Sequence, residues 1–176
     1  INGDYRRYSD GVLPESGIYA KGKRNSTFTE YYQDGVTPRK ETPMQQGKID
    51  GTVKTYFRNG KIEAEKEYKQ SVESGRERRF DSKTGEQIFE SHYIDGKKDG
   101  EEWEIFEDAS TLRSRIIRHY RNGKLDGSYR VESTRDGKPY ITIEGQYTDG
   151  EKSGQWIEHN YDNNTQTCTW HGEGGA

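Results

Sequence analysis

The sequence predicts an all-β chain, an elongated array of about seven tandem antiparallel β-hairpin repeats of roughly 25 residues each. Three observations predict it. A glycine motif returns at regular intervals, an aromatic residue or methionine returns in phase with it, and a glycine-containing turn signal falls midway between successive motifs.

The first marker is Gly-Lys followed by an acidic residue and Gly. It reads Gly47-Lys48-Ile49-Asp50-Gly51, Gly96-Lys97-Lys98-Asp99-Gly100 and Gly123-Lys124-Leu125-Asp126-Gly127, with a close variant at Gly150-Glu151-Lys152-Ser153-Gly154. With the second glycine as anchor, units start near Gly3, Ser26, Gly51, Gly75, Gly100, Gly127 and Gly154. Residues 1–172 are thus expected to form a single repeat domain, and residues 173–176 a flexible tail. The second marker is a ladder of Tyr19, Met44, Tyr68, Tyr93, Tyr120 and Tyr147, closed by Trp170. The third is Asp10-Gly11, Asp34-Gly35, Asn59-Gly60, Thr84-Gly85 and Asp136-Gly137. Asn-Gly and Asp-Gly suit type I′ hairpin turns, which need positive φ at both central residues.

The segments between these markers alternate with period two. Ile62-Glu63-Ala64-Glu65-Lys66-Glu67-Tyr68 sets Ile62, Ala64 and Tyr68 against three glutamates. Ile141, Ile143 and Tyr147 share one side of the strand leading to Gly150. That is the pattern of a half-buried antiparallel strand. Strands about 4.8 Å apart put equivalent positions of adjacent hairpins roughly 10 Å apart, so seven units would span on the order of 60–70 Å. The stretch from Phe106 to Arg115 is less regular, and a wider loop is expected at Asp108-Ala109-Ser110.

Composition supports an aromatic rather than an aliphatic core. Charged residues make up 34% of the chain and mean hydropathy is −1.32, values that by themselves suggest disorder. The net charge of only −3 and the 13 Tyr, 5 Phe and 3 Trp argue the other way. Each ring can bury on the order of 150–250 Å², provided the rings recur in register. The lone Cys168 excludes an internal disulfide framework and a multi-cysteine zinc site. With 28 basic against 31 acidic residues, nothing marks a nucleic-acid binder. No apolar run approaches the ~20 residues of a membrane helix. No signal-peptide pattern opens the chain, and its start at Ile1 rather than Met fits a processed or trimmed form. The location is open between a bacterial cytoplasm and the envelope or periplasm, with the envelope slightly favoured.

Catalytic chemistry is not expected. His92 and His119 hold the same repeat position, but a separation of roughly 10 Å is too long for two ligands of one metal. The acidic runs Glu63/Glu65/Glu67 and Glu101/Glu102/Glu104/Glu107/Asp108 stand among Lys and Arg, as a solvated side does. No nucleophile elbow, phosphate loop or dinucleotide fingerprint is present. No metal or other cofactor is implied. Aromatic residues with Arg are the usual anchors of a binding patch, so Trp103, Tyr129, Trp156, Trp170, Arg113 and Arg115 are the candidate contacts. Their alternative role is packing between repeats.

The run Gly47-Lys48-Ile49-Asp50-Gly51-Thr52-Val53-Lys54-Thr55-Tyr56-Phe57-Arg58-Asn59-Gly60-Lys61 resembles the variant MORN repeat, whose habit is Gly-Lys-x-x-Gly-x-Trp/Tyr, an aromatic pair, then Asn-Gly-Lys. Trp156 after Gly154 and Tyr129 after Gly127 keep the spacing, and Trp103 follows Gly100 one residue late. The units at Ser26 and Gly75 depart from the pattern. The resemblance implies an extended hairpin array. It also implies a role like that of the bacterial antitoxin or immunity components of this type, or like that of the related repeats linked to phospholipids and scaffolding. The expectation is therefore a non-catalytic repeat protein that binds a protein toxin or effector. The alternatives are a phospholipid surface and a structural or glycan-binding envelope scaffold.

Overall fold

A computed structural model describes residues 2–107, 113–135, 137–160 and 164–172. Among them there is no helix: the chain is all-β, and the paired strands run antiparallel, with some hairpin arms broken into a two-residue strand and a longer one that both pair with the preceding strand. The turn at Asp136, the loop at Asp108-Ala109-Ser110 and the tail at 173–176 lie outside the described residues.

Contacts divide the chain into two compact units. The first, Ile1–Gln87 with Tyr93–Gly96, holds β1 (Gly3–Ser9), β2 (Val12–Ala20), β3 (Lys23–Arg24), β4 (Thr27–Tyr31), β5 (Pro38–Gln45), β6 (Lys48–Ile49), β7 (Gly51–Tyr56), β8 (Ile62–Lys69) and β9 (Val72–Phe80). Strand β10 (Gln87–Ile94) supplies residues to both units. The second, Ile88–His92 with Lys97–Ala176, holds β11 (Lys97–Lys98), β12 (Gly100–Glu107), β13 (Arg113–Arg121), β14 (Lys124–Arg135), β15 (Lys138–Thr148), β16 (Glu151–Asn160) and β17 (Thr165–His171).

Two kinds of turn alternate, and the sequence markers swap roles. The two-residue turns with positive φ at both positions sit at the Gly-Lys motif: Lys21-Gly22, Gln46-Gly47, Gln70-Ser71, Asp95-Gly96, Asn122-Gly123 and Asp149-Gly150. Of the midway signals, Asp10-Gly11 has this geometry, whereas Asp34, Asn59 and Thr84 keep negative φ and only their glycines turn left-handed. Those loops are longer. Phe57 N–H donates to the Lys61 carbonyl at 2.9 Å, and Asp81 N–H donates to that of Glu86 at 2.8 Å. A side-chain acceptor organises each: Asp34 takes the N–H groups of Val36 and Thr37, and Asp81 those of Lys83 and Thr84. Hydrogen bonds from Thr37 and Val36 hold the Asp34 carboxyl down at about 2.

The second glycine of the motif builds a bulge. In β14, Leu125 opposes Tyr120 and Tyr129 opposes Arg118, so three residues of β14 face one of β13. The same slip separates Tyr68↔Glu73 from Lys66↔Glu77, and Gln146↔Ser153 from Glu144↔Ile157. Gly51 and Gly127 take φ of +118° there, a conformation closed to other residues without strain.

The residue before the bulge then ties unit to unit. Asn25 Oδ1 accepts Gln46 N–H at 3.0 Å, and Asp99 Oδ2 accepts Asn122 N–H at 3.0 Å, each at the first position of the next two-residue turn. The second position of that turn donates its own N–H backwards: Gly47 to Arg24 O at 2.8 Å, Ser71 to Ile49 O at 2.7 Å and Gly123 to Lys98 O at 2.7 Å. The motif is thus a bracket. Its acid and its first glycine hydrogen-bond neighbouring repeats, and its second glycine makes the bulge that aims the acid.

Side chains two positions after the anchor form the core, packed beside the ladder. In the first unit Tyr5, Tyr19 and Phe28 make a ring cluster with centroids 5.4–6.0 Å apart. In the second, Tyr129, Tyr147 and Trp156 do the same at 5.2–5.7 Å. The ring of the following unit lies on a glycine: a Cβ at Gly17 would stand 2.7 Å from the Phe28 ring, and one at Gly145 2.3 Å from Trp156.

Where the core position is acidic, ion pairs replace rings. In the first unit Lys66 Nζ lies 2.7 Å from Glu73 and 3.0 Å from Glu77, over the Tyr93 ring at 4.4 Å. Burial opposes the Lys66 charge, but the two carboxylates outweigh it and hold its pKa above the ordinary lysine value. In the second unit Glu102, 1% exposed, is held by Arg118 Nε at 2.8 Å and by Lys98.

Two outcomes test this account. Gly145→Ala should destabilise the chain by about 1–3 kcal/mol in urea unfolding through overpacking. In a Trp156→Leu background the same change should cost far less, and additive costs would show that ring and glycine do not share space. Burial, and then the hydrogen bond to Glu77, push the Tyr93 phenol up to about 12. Because its neutral form is favoured by folding, Tyr93 contributes stability below the unfolded value near about 10, and that stability is lost as pH rises through about 12. Ultraviolet titration of tyrosinate should show late-ionising tyrosines, and Glu77→Gln should bring one of them earlier.

Candidate functional site

Along each strand of the second unit, residues alternate between the ring-bearing side and the opposite side. The opposite side of β12 to β16 carries two neighbouring hollows. The larger, about 490 Å³, has Ile117 and Ile157 among its lining residues, with Ser128, Gln146 and Gln155 as uncharged polar groups. Glu101, His119, Arg130 and Glu144 also line it. The smaller, about 280 Å³, lies among Ile105, Arg113, Arg115, Glu132, Thr134 and Pro139.

The larger hollow contains acid, imidazole and hydroxyl in contact. Glu101 Oε2 is 3.7 Å from His119 Nε2, and Ser128 Oγ is 3.0 Å from His119 Nδ1. The residue types are those of a nucleophilic triad. The geometry favours a different role, because Nδ1 also lies 3.2 Å from the Ser128 carbonyl, to which it bonds only by donating. A nitrogen that carries that proton cannot accept one from the hydroxyl. His92 repeats the arrangement one unit earlier: its Nδ1 is 3.3 Å from the carbonyl of Glu101, which has no hydroxyl. Both imidazoles tie a ladder strand to the bulge beside it.

Three of the six candidate residues come together. Arg115 lies with its guanidinium carbon 4.4 Å above the Trp103 ring, and Arg113 lines the same smaller hollow. Trp103 opposes Ile117 of the larger hollow across β12 and β13, and Arg115 lines the smaller, so the stack lies beside both while Trp103 itself lines neither. Arg130, which lines the larger hollow, holds Glu132 of the smaller at 2.8 Å.

Two others lie on the ring-bearing side. Trp156 is 5% exposed, donates its Nε1–H to Gln146 O at 3.1 Å and is covered by Lys152 at 4.1 Å. Tyr129 packs on Trp156 and Tyr147, and burial followed by the Tyr147 phenol raises its pKa. Trp156 fills the inter-repeat packing role, and Tyr129 does so while also contributing to the lining of the larger hollow.

Trp170 stands apart. It is 74% exposed and opposes Gln155, while the ladder position opposite Gly154 is held by His171, whose ring lies 6.2 Å from Trp156. The ladder therefore ends at His171, one residue beyond the Trp170 that the spacing predicts. A one-residue offset puts a strand side chain on the other side of the sheet. Trp103 is offset in the same way, because Glu102 takes the core position after Gly100.

The polar lining of the larger hollow, Ser128, Gln146 and Gln155, carries no sequence motif. Its one signal is phase: these residues stand one position after an anchor or one before a ladder residue. Among the described residues no group of three or more His, Cys, Asp or Glu is placed to hold a metal ion. No protein-family model matches the chain, and no curated protein matches it significantly.

The two exposed-or-buried tryptophan positions separate by experiment. Trp156→Ala should cost about 3–5 kcal/mol of stability, and Trp170→Ala should stay within about 0.5 kcal/mol. Acrylamide should quench Trp170 readily and Trp156 poorly. Equal costs would contradict this division into core and surface.

Proposed function

We propose that the chain is a non-catalytic binding module whose partner is a protein, and that it serves as an antitoxin or immunity protein by occupying a toxin or effector. The observation that carries the reading is the Trp103–Arg115 stack, whose arginine lines one hollow and whose tryptophan opposes Ile117 of another, on the side of β12 to β16 opposite the packed rings. Aromatic and arginine side chains at the centre of a concave patch are the usual holders of binding energy. Polar groups that line the rest of the patch fit a rim that excludes water. The neutralising role is supported by the resemblance of the repeat to bacterial antitoxin and immunity components. The reading calls for no cofactor and no nucleic acid.

A phospholipid surface is a second reading, favoured by one observation. In the first unit Lys21 opens one two-residue turn, and Lys23 and Lys48 directly follow that turn and the next, with Lys23 lying 3.6 Å from where a Gly47 Cβ would be. Such a row suits anionic headgroups.

The test is affinity capture of the tagged chain from its native host, followed by binding measurements with the purified partner. One stoichiometric protein is expected. Its affinity should fall by about 2 kcal/mol or more with Trp103→Ala or Ile157→Glu, as a hot spot requires. Retention of lipid alone, confirmed by co-sedimentation with anionic vesicles, would replace this reading with the second.

A further inference from the structure

We infer that the Arg115–Trp103 pair receives a carboxylate, supplied by an acidic side chain of the protein partner. This inference rests on the protein-binding reading above and names the chemistry of its contact.

Arg115 differs from the other arginines around it. Arg118 holds Glu102 at 2.8 Å and Glu104 at 3.2 Å, and Arg130 holds Glu132 at 2.8 Å. Arg115 directly opposes Glu132 across β13 and β14, yet that carboxylate is bound to Arg130 instead. No described residue supplies Arg115 with a counter-anion, and this is what sets it apart: its Nε is buried without a hydrogen-bond partner, as Arg118 Nε also is, but Arg118 has carboxylates beside it. A partly desolvated guanidinium without a counter-charge is costly, and a carboxylate that reaches its terminal Nη groups compensates that charge.

The surroundings fit an acid and disfavour a base. Arg113 and Arg115 line the smaller hollow together, and Glu132, the one carboxylate among its described lining residues, is already engaged. The chain as a whole has a net charge of −3, so this positive ground is local. Trp103 contributes geometry. With the guanidinium lying 4.4 Å from the ring centre, the planar fork is held in place before any ligand arrives. Less side-chain entropy is then lost when the terminal Nη groups take a carboxylate in the two-pronged manner. Ile105 and Pro139 give the hollow apolar walls, which strengthen a charge-assisted hydrogen bond formed inside it.

The experiment uses the full chain labelled for nitrogen-edited NMR, with the Arg115 Nε–Hε signal assigned by its loss in Arg115→Lys. The probe is acetyl-Asp-Glu-Asp-Glu-amide, beside its uncharged counterpart acetyl-Asn-Gln-Asn-Gln-amide. The Arg115 signal should shift saturably with the acidic peptide and stay still with the amide one. Affinity for the acidic peptide, and for the captured partner, should fall about tenfold or more in Arg115→Gln and weaken with salt. Arg115→Lys should fall between the two, with an unchanged circular dichroism spectrum showing that the fold survives. If the partner binds wild type and Arg115→Gln equally, the inference fails and the binding-module reading stands. If no protein partner binds at all, that reading fails, and the inference with it. Displacement of the peptide by an equal concentration of inorganic phosphate would mark a plain anion site and overturn the proposal.

Discussion

The two-residue bulge at the anchor position is the constraint on which the other features of each repeat depend; it is left-handed where the anchor is glycine, and Ser26 makes it without positive φ. With two extra residues in the strand, the side chains two before and two after the anchor come to the same side of the sheet, close together. Arg24 lies over Phe28 at 4.3 Å, Lys98 holds Glu102, and Lys152 lies over Trp156 at 4.1 Å. Each covering cation belongs to the same strand segment as the residue it covers. The bulge also points the preceding Asn or Asp at the next turn, where a backbone N–H needs an acceptor. One bulge therefore serves the core, the lid over the core and the link between repeats.

This explains how a chain with so few aliphatic residues holds a core. A ring two after the anchor, a ladder ring beside it and a cation above make a unit that needs no second layer of sheet or helix. An acid at the ring position keeps the geometry with other chemistry, as Lys66 with Glu77 and Arg118 with Glu102 show. Breaking such a buried pair by removing one partner is expected to be harsh, because the survivor keeps its charge without its partner. The ion-paired repeats thus trade ring contacts for interactions that tolerate less substitution.

The repeat and its strands were legible because glycine and aromatic spacing encode them directly. The turn types were not, because Asn59-Gly60 and Gln46-Gly47 look alike as dipeptides and differ only in how many residues the loop must accommodate. The ladder was legible through Tyr147 and then slipped at Trp170, since a bulky ring one place early imitates the marker while the register gives the position to His171. Of the candidate contacts, Trp103, Arg113 and Arg115 were legible as types. That Trp103 and Arg115 stack follows from the pairing of β12 with β13, which composition does not specify. The lining of Ser128, Gln146 and Gln155 was hidden because polar residues on the outward phase of a strand look the same whether they line a hollow or a flat surface.

The division of labour between the two sides follows from the same constraint. The bulge fixes the ring-bearing side closely: ring, glycine beneath and cation above must match within tenths of an ångström, as the space at Gly17 and Gly145 shows. The other side is looser: Ile117 is buried there, but the charged and polar residues around it meet mainly neighbours across the ladder. Trp103 and Trp170 stand there because they are offset by one from core positions, and Trp103 is steadied by Arg115 rather than by other rings. Positions that core packing leaves free to vary are where a repeat protein can change its partner without changing its fold. On this chain the residues that use that freedom for large aromatic and unpaired cationic groups are Trp103 and Arg115.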